Sequence, residues 1–174
     1  MPSTSPTPPL PAAARAITAA TTDAVRAAQD KDVAGYDEAA GRLAAADPEQ
    51  VRVVLGVVVR ALLEALHPDG VAGEDLLQLI KSCARTSIGW YPGVDFEVLV
   101  VVLTGALGVH EPELEPRKFT ALEVARHAPL FISELLTVAR TRPNTPEAAP
   151  DQPLSAYFAQ AYLEISRAEL NELP

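Results

Sequence analysis

The stretch that decides the fold is PGVDFEVLVVVLTGALGV, residues 92–109. Its centre, VLVVVL, is compatible with a buried strand, a membrane span or a β-branched section of a buried helix. A strand over 94–109 would be unusually long. A membrane span needs about 20 apolar residues, whereas this run contains Asp95, Glu97 and Thr104. Because acids are favoured in the first turn of a helix, the segment predicts a central helix, apolar all round, with a strand as the alternative.

A second Val-rich segment, 51–66, poses the same question, and its polar positions answer it. Strict alternation would place Arg60 and His67 on opposite faces of a strand, and strands rarely run this long. In a helix, at about 100° per residue, the polar side chains fall in one stripe roughly 120° wide. The stripe consists of Glu49, Arg52, Gly56, Arg60, Glu64 and His67. The preceding DPEQ supplies Asp47 as an N-cap and Pro48 at the first helical position.

Amphipathic patterns and capping residues predict five further helices, at 11–30, 33–46, 74–88, 120–140 and 154–172. The TALE motif that opens the fourth of them has the Thr and Glu of a capping box. The sequence therefore predicts an all-α protein, a multihelical bundle of about six or seven helices in a single domain over 11–174.

Two Pro-rich segments and one internal similarity complete the predicted organisation. Residues 1–10 are rich in Pro, Ser and Thr and predict a disordered tail, and residues 141–153 predict a Pro-rich loop. The segment 54–68 aligns without gaps with 98–112. A period of this length is typical of stacked helical hairpins, which are therefore the alternative arrangement of the helices.

Composition limits the partners of the chain. The 174 residues carry a net charge of −9, which argues against nucleic acid and against anionic lipid, because both need clustered Lys and Arg. The N-terminal residues lack the charged and apolar regions of a secretory signal, so a cytoplasmic protein without a membrane segment is expected. The only cysteine, Cys83, excludes an intrachain disulfide and a Cys-based zinc site and is predicted to be buried.

Histidine and acidic residues end both Val-rich helices at matching places. His67 and Asp69 follow one helix, and His110 and Glu111 follow the other. If the helices pack in parallel, imidazole and carboxylate groups could meet and hold zinc or iron. A histidine favoured at a helix C-terminus by the dipole is the plainer interpretation. We therefore predict no metal and no cofactor, and we keep these four residues as candidate partner or ligand contacts; His127 is expected to be a surface or internally bonded residue.

The motif GWYPG, 89–93, is the remaining candidate contact. It contains Trp90, the only Trp of the chain, and Tyr91, and such side chains are frequent at binding hot spots. The alternative is that Trp90 folds back over the core and covers the helix ends.

These observations predict a non-catalytic helical interaction module that binds another protein or, more specifically, a second copy of itself. Two helices with almost no polar face have more apolar surface than a domain of this size can easily bury. An acidic regulator of a basic protein is one alternative, because of the charge and the acidic clusters at 111–115 and 164–172. A small-molecule or metal-binding helical protein is the other.

Overall fold

The computed structural model describes residues 11–109, 119–141 and 153–171, and within these ranges it contains seven α-helices and no strand. The predicted all-α fold class is confirmed. The helices are α1 (Ala12–Asp30), α2 (Val33–Ala44), α3 (Pro48–Leu66), α4 (Gly73–Ile88), α5 (Phe96–Ala106), α6 (Ala121–Thr141) and α7 (Leu154–Asn171). None of the described helices combines the length and the apolar character that crossing a membrane requires.

The Val-rich stretch that decides the fold is helical, as predicted. It forms α5, which is shorter at both ends than the predicted 94–109. Asp95 is the N-cap, and its side chain accepts a hydrogen bond from the backbone N–H of Glu97 at 2.9 Å. The cap explains why the helix starts where it does, since this bond satisfies a first-turn donor that has no partner inside the helix.

Other helix starts also follow their predicted caps. The Asp47 side chain accepts a hydrogen bond from the N–H of Gln50 at 2.9 Å, with Pro48 opening α3. At the start of α6, the N–H of Thr120 donates to the Glu123 carboxylate at 2.7 Å, and the Glu123 N–H donates back to the Thr120 hydroxyl oxygen at 3.1 Å. This reciprocal pair is the capping box that TALE predicted.

The centre of the bundle is α6, which packs against α1, α2, α3, α4 and α5. Every residue from 127 to 136 is buried, so this part of the helix has no solvent-facing side. The prediction that 94–109 is the enclosed central helix is therefore wrong in its position. Helix α5 buries one side only, through Val98, Leu99, Leu103 and Ala106.

Helix α3 packs against α6 and is flanked by α5 and α7. It approaches α5 closely at Gly56, where an added Cβ would make an ordinary van der Waals contact, 3.8 Å from the Cα of Ala106. A helix that contacts five others is unlike a repeat stack, in which each unit contacts only its neighbours. The described helices thus form a bundle around α6 and not the alternative stack of hairpins.

The two predicted Pro-rich segments lie largely outside the described residues. The predicted tail at 1–10 falls entirely outside them. Of the predicted loop at 141–153, only its end residues are described: Thr141 ends α6, and Pro153 immediately precedes α7.

Truncating Phe131 on α6 tests the central position of this helix. The Phe131 side chain is fully buried, so Phe131→Ala should remove about 3–5 kcal/mol from the free energy of unfolding. The control is Leu122→Ala on the same helix, which is 38% exposed and should cost about 1 kcal/mol or less. Urea denaturation of both variants checks this, and equal losses would contradict a central α6.

Candidate functional site

The turn between α4 and α5 inserts an aromatic pair against α2. The ring of Tyr36 meets Trp90 edge-on at a centroid distance of 5.5 Å and Tyr91 at 5.1 Å. Tyr36 is fully buried and Tyr91 is 4% exposed, whereas Trp90 is half-buried. Edge-on and tilted pairs of this kind add stability beyond the area that they bury. The sequence-predicted Trp90 and Tyr91 therefore lie together, in a packed cluster at the edge of the core.

Hydrogen bonds connect the aromatic cluster to two helices. The Tyr36 hydroxyl donates to the carbonyl oxygen of Arg126 at 2.5 Å, and the Tyr91 hydroxyl donates to Asp37 at 3.2 Å. Asp37 also forms an ion pair with the Arg126 guanidinium at 3.4 Å. Burial raises the pKa of Tyr91 to about 12, so its phenol keeps the proton that it donates. The turn is thus held to α2, and α2 is held to α6, by side chains far apart in sequence.

His127 joins α6 to the start of α5. Its Nε2 accepts a hydrogen bond from the backbone N–H of Asp95 at 2.8 Å, and its Nδ1 lies 2.7 Å from the carbonyl oxygen of Glu123. These partners define a neutral ring with the proton on Nδ1. Burial lowers the pKa of His127, although the Glu123 carbonyl and the nearby acids oppose that shift. His127 is therefore a bonded histidine within the fold.

A buried acid and the single thiol lie where α4 meets α6. The Ser82 hydroxyl donates to the Glu134 carboxyl group at 2.5 Å, and Glu134 is 7% exposed. Cys83 is fully buried, as predicted. Burial, with a contribution from Glu134, raises the pKa of the thiol to about 12, so hardly any thiolate exists near neutral pH. This arrangement supports packing and not nucleophilic chemistry.

The structure describes only two of the four residues predicted at the helix ends. His67 is the C-cap of α3, and its Nδ1 lies 4.0 Å from a carboxylate oxygen of Asp75 in the first turn of α4. Asp69 is exposed in the intervening turn. His110 and Glu111 lie outside the described residues. Among the residues that are described, no three His, Cys, Asp or Glu side chains are grouped closely enough to hold a metal ion.

A groove between α1, α3 and α7 went unrecognised in the sequence. Its volume is about 370 Å³, which is within the usual range of small-ligand sites. Its walls are mostly apolar and consist mainly of Ala13, Ile17, Val53, Val54, Tyr162 and Ile165. Alanines and valines at helical spacing are the ordinary pattern of a core, so no sequence signal distinguishes this groove from packed interior.

The outward side of α5 is the second surface of interest. Val101 is half-buried on this side, Val100 is half-buried at its edge, where it also packs against the core, and Phe96, at the start of the helix, is 43% exposed. Thr104 is also half-buried, but its hydroxyl donates to the carbonyl oxygen of Val100 at 3.0 Å and so offers little polar capacity to a partner. The sequence located this apolar segment correctly, although it placed the segment inside the bundle.

Comparisons with protein-family models, with curated proteins and with solved structures find no match for this chain.

Truncating Tyr91 tests whether the aromatic cluster supports the fold. Because the ring is buried and hydrogen-bonded, Tyr91→Ala should lower the free energy of unfolding by about 3 kcal/mol or more. Asp37→Asn is the matched control, since it weakens the hydrogen bond and the ion pair but keeps the aromatic packing; about 1 kcal/mol is expected. Urea denaturation gives both values. A loss below 1 kcal/mol for Tyr91→Ala would identify the ring as a surface contact.

His127 should make stability depend on pH. Because its pKa is lowered in the folded protein, the unfolded chain takes up a proton first as the pH falls. The stability contributed by the neutral ring is complete above the unfolded value of 6.5 and is lost as the pH falls from there through the folded value. Comparing wild type with His127→Gln by denaturation between about pH 8 and about pH 5 isolates this contribution. The variant should lose less stability over that interval, and parallel curves would contradict the assignment.

Proposed function

We propose that the protein is a non-catalytic helical interaction module that associates with a second copy of itself through the outward sides of α4 and α5. The observation that carries this proposal is the apolar outward side of α5. Contact between water and a helix that is apolar on nearly all sides is unfavourable. Burial of the helix against another molecule removes this contact.

The distribution of charge favours this surface for contact with a second copy of the chain. A chain with a net charge of −9 repels its own copies over most approaches. In α5, however, the sequence FEVLVVVLTGA contains a single charged residue, Glu97, in the first turn. When two copies of α5 pair in an antiparallel manner about a twofold axis, the two Glu97 side chains lie at opposite ends. Along α5, the approach therefore avoids the repulsion that acidic surfaces elsewhere would produce.

The neighbouring helix α4 also exposes apolar side chains, and the dimensions of the two helices limit the area that they can contribute. On α4, Leu77 is 41% exposed and Ile88 is 63% exposed. The two helices, about 24 and 16 Å long and about 10 Å wide, project roughly 400 Å². A standard interface buries about 800 Å² per partner, so a weak dimer in the micromolar range is expected.

The groups with potential catalytic chemistry support the non-catalytic part of the proposal. The Cys83 thiol is buried with a high pKa, and the Glu134 carboxyl group is engaged by Ser82. The alternative of an acidic regulator stays a prediction, because its cluster at 111–115 lies outside the described residues. In its second cluster, at 164–172, Glu164 forms an ion pair with Arg60 of α3.

A charge placed on the proposed interface tests self-association. Val101→Glu puts a carboxylate on the outward side of α5 in both copies, and it should weaken the dimer at least tenfold. The control is Leu163→Glu on α7, which introduces the same charge at a side chain that is 55% exposed on another helix. Sedimentation equilibrium across micromolar concentrations measures all three proteins.

The wild type and the Leu163→Glu control should approach twice the chain mass of 18.5 kDa as concentration rises, whereas Val101→Glu should stay near 18.5 kDa. A wild-type protein that stays at 18.5 kDa throughout would overturn self-association. Equal dimerisation of wild type and Val101→Glu would place the interface on another surface.

A further inference from the structure

On one side of the groove between α1, α3 and α7, the polar groups of the wall are already hydrogen-bonded to each other. The Tyr162 hydroxyl donates to the carbonyl oxygen of Ala14 at 2.8 Å and lies 3.2 Å from the hydroxyl of Thr18. These bonds connect α7 to α1 on one side of the groove. An occupant therefore meets mainly hydrocarbon on these walls, and its affinity comes from burial of its own apolar part.

The charged lining of the groove is entirely acidic. Among the described residues that line it, Glu49 and Glu169 are the only charged ones, and both are exposed at the rim. Glu49 is paired with Arg52, which lowers the pKa of its carboxyl group and offsets its charge. Glu169 has no ion-pair partner among the described residues. The rim therefore has an uncompensated negative charge, and this charge lies mainly at Glu169.

The start of α3 also borders the groove and would by itself attract an anion. Helix N-termini have a partial positive charge and unbonded N–H groups. In this helix the Asp47 side chain already accepts the N–H of Gln50, and Glu49 adds a second acid in the first turn. Because Asp47 already bonds one of these N–H groups and places its charge there, the N-terminus is a weak anion site and the rim favours a cation.

The volume of the groove, about 370 Å³, lies at the small end of the range of small-ligand sites. A hydrocarbon chain or a single ring is therefore a suitable occupant.

We propose that this groove binds a small amphiphilic amine, whose hydrocarbon part lies between α1 and α7 and whose ammonium group meets Glu169 at the rim. The site is independent of the proposed self-association, because none of its lining residues belongs to α4 or α5.

Isoleucine methyl groups provide a direct test on the whole protein. The chain has five isoleucines; Ile17 and Ile165 line the groove, and Ile80, Ile88 and Ile132 lie elsewhere. With isoleucine δ1-methyl labelling, n-octylammonium should shift the resonances of Ile17 and Ile165 in a saturable manner at millimolar concentration or below. The resonances of Ile80 and Ile132, which are buried, serve as internal controls and should stay in place.

Probes with the same octyl chain and an isosteric variant of Glu169 test the role of the charge at the rim. Because one carboxylate attracts an ammonium group and repels a sulfate, n-octyl sulfate should bind at least tenfold more weakly than n-octylammonium, with 1-octanol between them. Glu169→Gln should weaken octylammonium about fivefold and leave octanol unchanged. Glu74→Gln, an exposed neutralisation on α4, is the matched control and should change neither affinity.

Three outcomes would overturn the proposal. The first is the absence of saturable shifts at Ile17 and Ile165, or equal shifts at all five isoleucines. The second is octyl sulfate binding as tightly as octylammonium. The third is an octylammonium affinity that Glu169→Gln and Glu74→Gln change by the same factor.

Discussion

Complete burial of the middle of α6 is the constraint on which the rest of the structure depends. A helix with no solvent-facing side over 127–136 needs neighbours on every side, and α1 to α5 provide them. The buried stretch is not purely apolar, since it contains His127 and Glu134. Burying such groups costs free energy unless each has a partner. The neighbouring helices therefore do more than cover α6, because they also provide partners for its polar groups.

Those partners determine where the surrounding helices lie. The N–H of Asp95 needs an acceptor before α5 can start, and His127 provides it. Ser82 of α4 satisfies Glu134, and the Tyr36 hydroxyl of α2 bonds to a carbonyl oxygen of α6. Hydrogen bonds are directional, so each fixes position and rotation more closely than apolar contact alone. These bonds therefore determine how α4, the turn that follows it and α5 are arranged around α6.

Local signals in the sequence predicted the helices well, but they did not predict which helix lies at the centre. Caps and periodicity act within one or two turns, and the Asp47 cap and the TALE capping box appear where they were expected. The central position depends on pairs such as Ser82 with Glu134, which are 52 residues apart in the chain. Read alone, the polar residues of α6 suggest a solvent-facing side, whereas α5, with one charge, suggests burial. The candidate site shows the same limit: Trp90 and Tyr91 were identifiable by residue type, but the groove depends on how α1 and α7 are positioned over α3.

The same constraint explains why two apolar surfaces stay open. The middle of α6 is completely buried. Because several helices surround it, each of them contacts α6 along only part of its own surface. Helix α5 uses one side for this packing and for its contact with α3, which leaves Val101 half-buried on the opposite side. Helix α7 is not among the helices that pack closely on α6 and is held mainly by α3, with a short contact to α1. A helix attached along one edge leaves space beside it, and the groove occupies that space. Because α3 lies between α5 and α7, a partner on one surface leaves the other surface accessible.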